Sequence, residues 1–338
     1  MSAMVTHRKR VAIHAAIATS VFLAGMGLLA LFLGSCRVMG GGYSLASEDW
    51  EYASNQLGGH PEITFTPSVT VFLPLVQRSH GIHYVSTHGN DGNDGRSRGT
   101  AFRTIERALE VVQPGEIIHI LPGVYHEALT LQSVGSADEP IILRSEEGGA
   151  VLDGQGVLTI GFWCENCTNL IFEGLEIRRY TDVGIGAYLS SDVKMRDLTV
   201  HNSGFAAQSV SWEIEGYGIH VDESQRVSIE DCDVYQNGPQ PRPWGAMGTG
   251  IDTYRCTECV IRNNHSHNNV GGGVLVEDGA NVLVEGNRIT ANYLDATEDE
   301  WWDGGIWIDG GRNITATSNT FQDNVGPGIQ ISDEDHCF

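Results

Sequence analysis

Lysine is almost missing from this chain. Only Lys9 and Lys194 occur in 338 residues, and 20 basic residues in all stand against 43 acidic ones, for a formal net charge of −23. That scarcity excludes whole classes of function. Affinity for nucleic acid is dominated by phosphate contacts and needs a basic face, which this composition does not supply. Direct capture of a polyanionic glycan meets the same repulsion unless a bound metal ion inverts the local field.

What is present at the N-terminus reads as an export signal. Arg8-Lys9-Arg10 is followed by 25 residues without a formal charge, Val11 to Ser35. Leu33-Gly34-Ser35-Cys36 resembles a bacterial lipobox, which implies lipidation of Cys36. The apolar run is also long enough to span a bilayer uncleaved. Either way the remainder lies outside the cytoplasm, because the basic end stays inside. The expectation is an exported protein anchored to the outer face of a bacterial membrane or cell surface, through lipid or helix. Residues 1–36 are the signal or anchor, and 37–80, with little periodicity, read as a tether.

Cysteine is scarce too, with seven residues. Cys164/Cys167 and Cys256/Cys259 have the CxxC spacing that invites zinc. The repeat register described below sets the pairs about three coils apart, roughly 14 Å at about 4.8 Å per coil, too far for one shared ion. An exported chain favours short-range disulfides or isolated buried thiols. No residue is therefore assigned as a metal ligand.

The folded body begins near Ile82, with 81–160 as an N-terminal cap and first coils. Tyr84-Val85-Ser86 leads to the Gly89–Gly95 loop and then to Phe102-Arg103-Thr104-Ile105. Ile105, Ala108, Leu109 and Val112 form one apolar helical stripe, which Gln113-Pro114-Gly115 stops. A strand over Glu116 to Leu121 and the Pro122-Gly123-Val124-Tyr125 element follow. These motifs resemble the N-terminal entry of the secreted right-handed parallel β-helix proteins, the pectate-lyase-like superfamily. The resemblance implies a capped solenoid. It does not imply one activity, since lyases, hydrolases, epimerases and non-enzymes share that fold. Asp91 and Asp94 suggest calcium, but loop capping by Asp and Asn is the reading adopted.

From 161 to 338 the chain repeats. First segments are NLIFEGLEI from 169, DVKMRDLTV from 192, RVSIEDCDV from 226, ECVIRNNHS from 258, NVLVEGNRI from 281 and NITATSNTF from 313. Second segments are GIGAY from 184, GIHVD from 218, GIDTY from 250, GVLVE from 273, GIWID from 305 and GIQIS from 328. A coil of about 23 residues with fixed internal order is a solenoid signature. Each coil reads as three strands, as in Gly273–Glu277, Asn281–Glu285 and a short one after the Gly286-Asn287 corner. Asn264, Asn287 and Asn319 share one corner and suggest a ladder of side-chain amides. The fold expected is all-β, a right-handed parallel β-helix with an N-terminal capping helix. The last copy ends shortly before Phe338 with no capping helix, so further coils are expected in the natural chain.

Every extra residue in the longer coils enters at one edge, in 201–217, 235–249 and 290–304. These loops carry Trp212, Trp244, Tyr293, Trp301 and Trp302. Long loops on a rigid scaffold commonly carry function. Beside them run two outward columns of the second segments. One holds Gly186, His220, Asp252, Leu275, Trp307 and Gln330, the other Tyr188, Asp222, Tyr254, Glu277, Asp309 and Ser332. The candidate catalytic groups are Asp222, Asp252, Glu277 and Asp309, with His220 as accessory. Glu277 and Asp309 are expected one coil apart and Asp222 and Glu277 two, spacings of the order used by glycosidase carboxylates. Like charges so close are expected to raise one pKa. Trp244, Tyr254, Trp301, Trp302 and Trp307 are the candidate sugar platform. The competing reading is a solvated polar surface.

The expected partner is a polysaccharide or glycan, not nucleic acid. Hydrolysis is favoured over elimination. Lys194 lies on a different face from the acidic columns, and no polygalacturonase signature is present. A lyase or epimerase using Ca²⁺ and a non-catalytic surface β-helix that binds glycans or another cell are the alternatives. Calcium is the one cofactor left open.

Overall fold

The computed structural model describes residues 81–145, 149–204, 216–238, 248–292 and 304–332. Cys36, the export segment and tether, Trp212, Trp244, Tyr293, Trp301 and Trp302 lie outside the described residues. Among the described residues no helix is long and apolar enough to cross a membrane.

Three parallel sheets of nine, eight and eight strands run the length of the body. Each coil contributes one strand to each sheet in turn. In the cleanest copy these are Leu283–Glu285, Arg288–Thr290 and, from the preceding coil, Val274–Glu277. Each strand pairs with its equivalent one coil away, as Tyr254 with Glu277 and Glu277 with Asp309. This is a parallel β-helix. Its corners explain the punctuation of the sequence. Asp278, Asn281 and Gly286 all sit at positive φ (48°, 57° and 68°), where Asn, Asp and Gly are least penalised.

Stacking makes the core. Positions 2 and 4 of each second segment point inward, as Ile185/Ala187, Ile219/Val221 and Val274/Val276, all buried. The cost of leaving such a row uncovered shows in the last described coil. Ile331 is 77% exposed, whereas Val276 in the same register is fully buried. Full burial of one such side chain is worth about 1.5–3 kcal/mol.

The glycine that opens each second segment has a steric cause. A Cβ on Gly184 or Gly218 would lie 2.6 Å from the carbonyl oxygen of the equivalent glycine one coil on. Only a bare Cα lets the coils close to hydrogen-bonding distance there.

Two asparagine ladders tie corners together. In the expected one, Asn264 Nδ2 donates to Asn287 Oδ1 (3.0 Å) and Asn287 Nδ2 to Asn319 Oδ1 (3.0 Å). The second runs Asn237, Asn269, Asn292 and Asn324 with amide contacts of 3.1, 2.9 and 3.0 Å.

At the N-terminal end the helix Ile105–Val111 buries Ile105 and Ala108. Thr104 caps it through its side chain, and Glu127 accepts from the Ile105 and Glu106 amides. Asp91 Oδ1 accepts from the Arg103 and Thr104 amides (2.8 and 2.9 Å), and Asp94 from the Arg96 amide (3.0 Å). These are loop-capping bonds. Cys256 and Cys259 form a disulfide, and Cys164, Cys167 and Cys232 are buried free thiols. Three register steps separate the strands of the two CxxC pairs.

Candidate functional site

The third sheet brings the outward columns together in the expected register. Trp163, Gly186, His220, Asp252, Leu275 and Trp307 align in one, and Glu165, Tyr188, Asp222, Tyr254, Glu277 and Asp309 in the other. They are not the solvated surface of the competing reading. His220, Asp222, Tyr254 and Trp307 are buried, and Asp252 is only 1% exposed. Glu277 and Asp309 are half-buried.

His220 and Asp252 occupy adjacent strands, and Nδ1 lies 2.6 Å from Asp252 Oδ2. An ionised Asp252 accepts from Nδ1–H there and orients the ring. Two aromatic faces flank that ring. Tyr217 stacks at 4.8 Å between centroids and Trp163 at 6.2 Å, both within 14° of parallel. Trp163 comes from two coils earlier. It reaches across because Gly186 lies between them, where a Cβ would sit 2.5 Å from the indole.

Asp222 stands two residues beyond His220 on the same strand. Its carboxyl pKa is raised to about 6. Burial is the main cause; His220 and Arg255 pull it down, and Glu223 and Asp252 push it up. A raised carboxylate was expected from like-charge crowding, but desolvation outweighs those charges here. Asp222 Oδ1 and Asp252 Oδ1 are both buried and make no hydrogen bond among the described residues.

Around this centre lie further groups. The Arg255 guanidinium covers the Tyr254 ring at 4.7 Å and approaches Glu223 (3.4 Å) and Asp278 (3.7 Å). Tyr254 intervenes between Asp222 and Glu277. The Trp307 indole donates to Ser332 Oγ (2.7 Å), which donates to Asp309 Oδ1 (2.9 Å). Trp307 thus supports Asp309 in addition to presenting a ring.

The first sheet is the internal control. Its outward column alternates charge coil by coil: Arg144, Glu173, Arg196, Glu230, Arg262, Glu285. Ion pairs run along it, including Arg144–Glu173 at 2.7 Å and Arg262–Glu285 at 3.0 Å. Lys194 is exposed on that sheet, away from the acidic columns. Where acids serve only as surface, this chain neutralises them with arginine. On the third sheet it buries them together.

Trp163, Glu165 and Tyr217 are not among the candidates read from the sequence. The signal for the first two was available: Gly161-Phe-Trp-Cys-Glu165 precedes Gly184-Ile-Gly-Ala-Tyr188 by one 23-residue repeat. Tyr217 lies at the end of an insertion, where no register applies.

Comparison with known proteins agrees with this architecture. A family model described as a right-handed β-helix region matches residues 208–337. Another, a protein of unknown function (DUF1565), matches residues 87–133. The uncharacterised protein YwoF of Bacillus subtilis (strain 168) is 27% identical over 277 residues, 74% of this chain. The match spans 58% of that relative's length. A rhamnogalacturonan lyase structure is similar at a TM-score of 0.50 and 18% identity, over 75% of this chain and 62% of that one. Pectate lyase Pel9A gives a TM-score of 0.47 at 18% identity, over 68% of each chain. The fold is a right-handed parallel β-helix. Likeness at this level establishes fold, and activity has to be argued from the site.

Proposed function

We propose that the buried face of the third sheet is a polysaccharide-cleaving site, hydrolytic in mechanism, on an exported protein held at a bacterial membrane or cell surface by its N-terminal segment. Asp222 carries the reading. It is a buried carboxyl group held near pKa 6, beside a histidine–carboxylate pair, on a face next to the inserted loops. Asp222 and Asp252 are one strand spacing and two residues apart, roughly 8 Å between backbone positions.

In this mechanism Asp222, protonated, gives its proton to the glycosidic oxygen as the bond to the anomeric carbon breaks. The His220–Asp252 pair takes a proton from the water whose oxygen bonds to that carbon. Trp163 and the loop residues Trp244, Trp301 and Trp302 are the candidate sugar-stacking rings, Tyr254 being buried under Arg255, and Trp307 supports Asp309. Glu277 and Asp309, one register step apart, are positioned for substrate hydroxyls. Elimination is the second reading, and Arg255 favours it, its guanidinium lying over the Tyr254 ring within one of the acidic columns.

A panel of polysaccharides tests this with two readouts, reducing ends and ultraviolet absorbance of unsaturated products, each with calcium and with chelator. Reducing ends alone support hydrolysis. Both signals together replace it with elimination. Glycan binding without either product overturns the enzymatic reading in favour of a surface binding protein.

A further inference from the structure

The second sheet has an outward column system of its own. Asp233, His265 and Arg288 align in one column and Tyr235, His267 and Thr290 in the next. Asp233, His265 and His267 each offer a ligand atom, all within 4.8 Å of one another. We propose that these three residues form a binding site for a divalent first-row transition ion, zinc above all. This site is on a different sheet from Asp222 and does not rest on the reading of that face.

The geometry is that of a coordination shell. His265 Nδ1 lies 3.3 Å and His267 Nε2 3.1 Å from the same oxygen, Asp233 Oδ1. Zinc bonds of about 2.0–2.1 Å at tetrahedral angles place ligand atoms about 3.3 Å apart. The rest of each ring is also committed. His267 Nδ1 bonds to Asn268 Oδ1 (2.8 Å), and His265 Nε2 to Thr290 Oγ1 (3.2 Å). When Asn268 Oδ1 accepts from His267 Nδ1, the lone pair on Nε2 faces Asp233 Oδ1, the contact a proton on Nε2 would otherwise fill. With the Thr290 hydroxyl accepting from His265 Nε2, His265 Nδ1 does the same. An outer-shell acceptor on the second nitrogen is the regular feature of metal-bound histidine.

In those tautomers three acceptor atoms converge on one point; a proton on one ring closes only that ring's own contact with Asp233, whereas a cation serves all three. Protonating both imidazoles would set two positive rings face to face, 4.0 Å between centroids. One divalent ion satisfies all three atoms without that repulsion. Two imidazoles and one carboxylate select a borderline transition ion over calcium, which takes six to eight oxygens. Three protein ligands leave a fourth position for water or an external ligand. Arg288, the neighbouring cation, is exposed, so solvent screens its charge.

The test uses the full chain in detergent, stripped with a chelator and titrated with Zn²⁺ alone by calorimetry. About one ion per chain is expected, with affinity lowered roughly a hundredfold or more in His265→Ala and His267→Gln. Asp222→Asn should bind as the unmodified protein does. Cobalt(II) in the unmodified protein should give the spectrum of a nitrogen and oxygen site, without the thiolate bands that Cys164 and Cys167 would add. That arm remains decisive if a variant fails to fold. Absence of stoichiometric zinc, zinc retained by both histidine variants, or a thiolate spectrum each overturns the proposal.

Discussion

Asp222 concentrates the electrostatic cost of the third-sheet face in one side chain. Folding raises its pKa from 3.8 to about 6. Between roughly pH 4 and 6 the native state therefore binds more protons than the unfolded chain, and stability falls as pH rises through that window. Asp222→Asn removes the penalty. Its melting temperature should exceed that of the unmodified protein at pH 8 and match it near pH 4. The gain corresponds to at most about 3 kcal/mol from a shift of about two pKa units. Equal melting shifts at both pH values would mean that burial of the ionised form costs nothing. Gly186 allows a separate check on the histidine. In Gly186→Ala the new methyl must displace Trp163 from its place beside His220. Catalytic efficiency should fall about tenfold or more, since small misplacements at a reacting group are costly, while the protein stays folded at the assay temperature despite a Cβ 3.0 Å from the His220 carbonyl oxygen. Unchanged turnover would show that Trp163 does not position the ring. At this scale the sequence was partly legible. The period-2 pattern located His220, Asp222 and Asp252 on one face. Their burial was not legible, because side-chain periodicity does not report what covers the outer surface of a strand.

Among the elements, the corners carry information that the strands do not. Asn264, Asn287 and Asn319 were visible as a ladder because they fall at one position of an aligned segment. Asn237, Asn269, Asn292 and Asn324 fall just beyond the aligned segments, before variable insertions, and escaped notice for that reason. The hidden ladder is the better test of cooperativity. Asn269 is fully buried. Its Oδ1 accepts from the Asn237 amide, and its Nδ2 donates to Val234 O (3.2 Å), Ser266 Oγ (3.1 Å) and Asn292 Oδ1 (2.9 Å). Asn269→Ala strands several buried groups and should destabilise by about 3 kcal/mol or more. Asn319→Ala, at a half-buried ladder end, should cost about 1 kcal/mol. Denaturant titration of both variants measures the difference. Equal losses would mean that the ladder contributes as separate bonds and not as a connected column.

For the molecule as a whole, fold and function differ in how they are written. The solenoid is written redundantly, in corner residues, opening glycines and inward apolar pairs repeated coil after coil, so it is readable from one chain. The candidate site is written once. His220, Asp222, Asp252 and Trp163 are departures from the repeat, and nothing in the repeat says which departures matter. Contrast between faces supplies that information: arginine alternates with glutamate along the first sheet, while Asp222 and Asp252 lie buried on the third. The most direct test of the hydrolytic account is catalytic efficiency against pH, for the unmodified protein and Asp222→Asn, on the polysaccharide that releases most reducing ends. The account predicts activity that falls above about pH 6 as Asp222 loses its proton, and a loss of roughly 10²–10⁴-fold in a folded Asp222→Asn. Retention of activity within a few-fold in that variant, or no release from any polysaccharide, would contradict it.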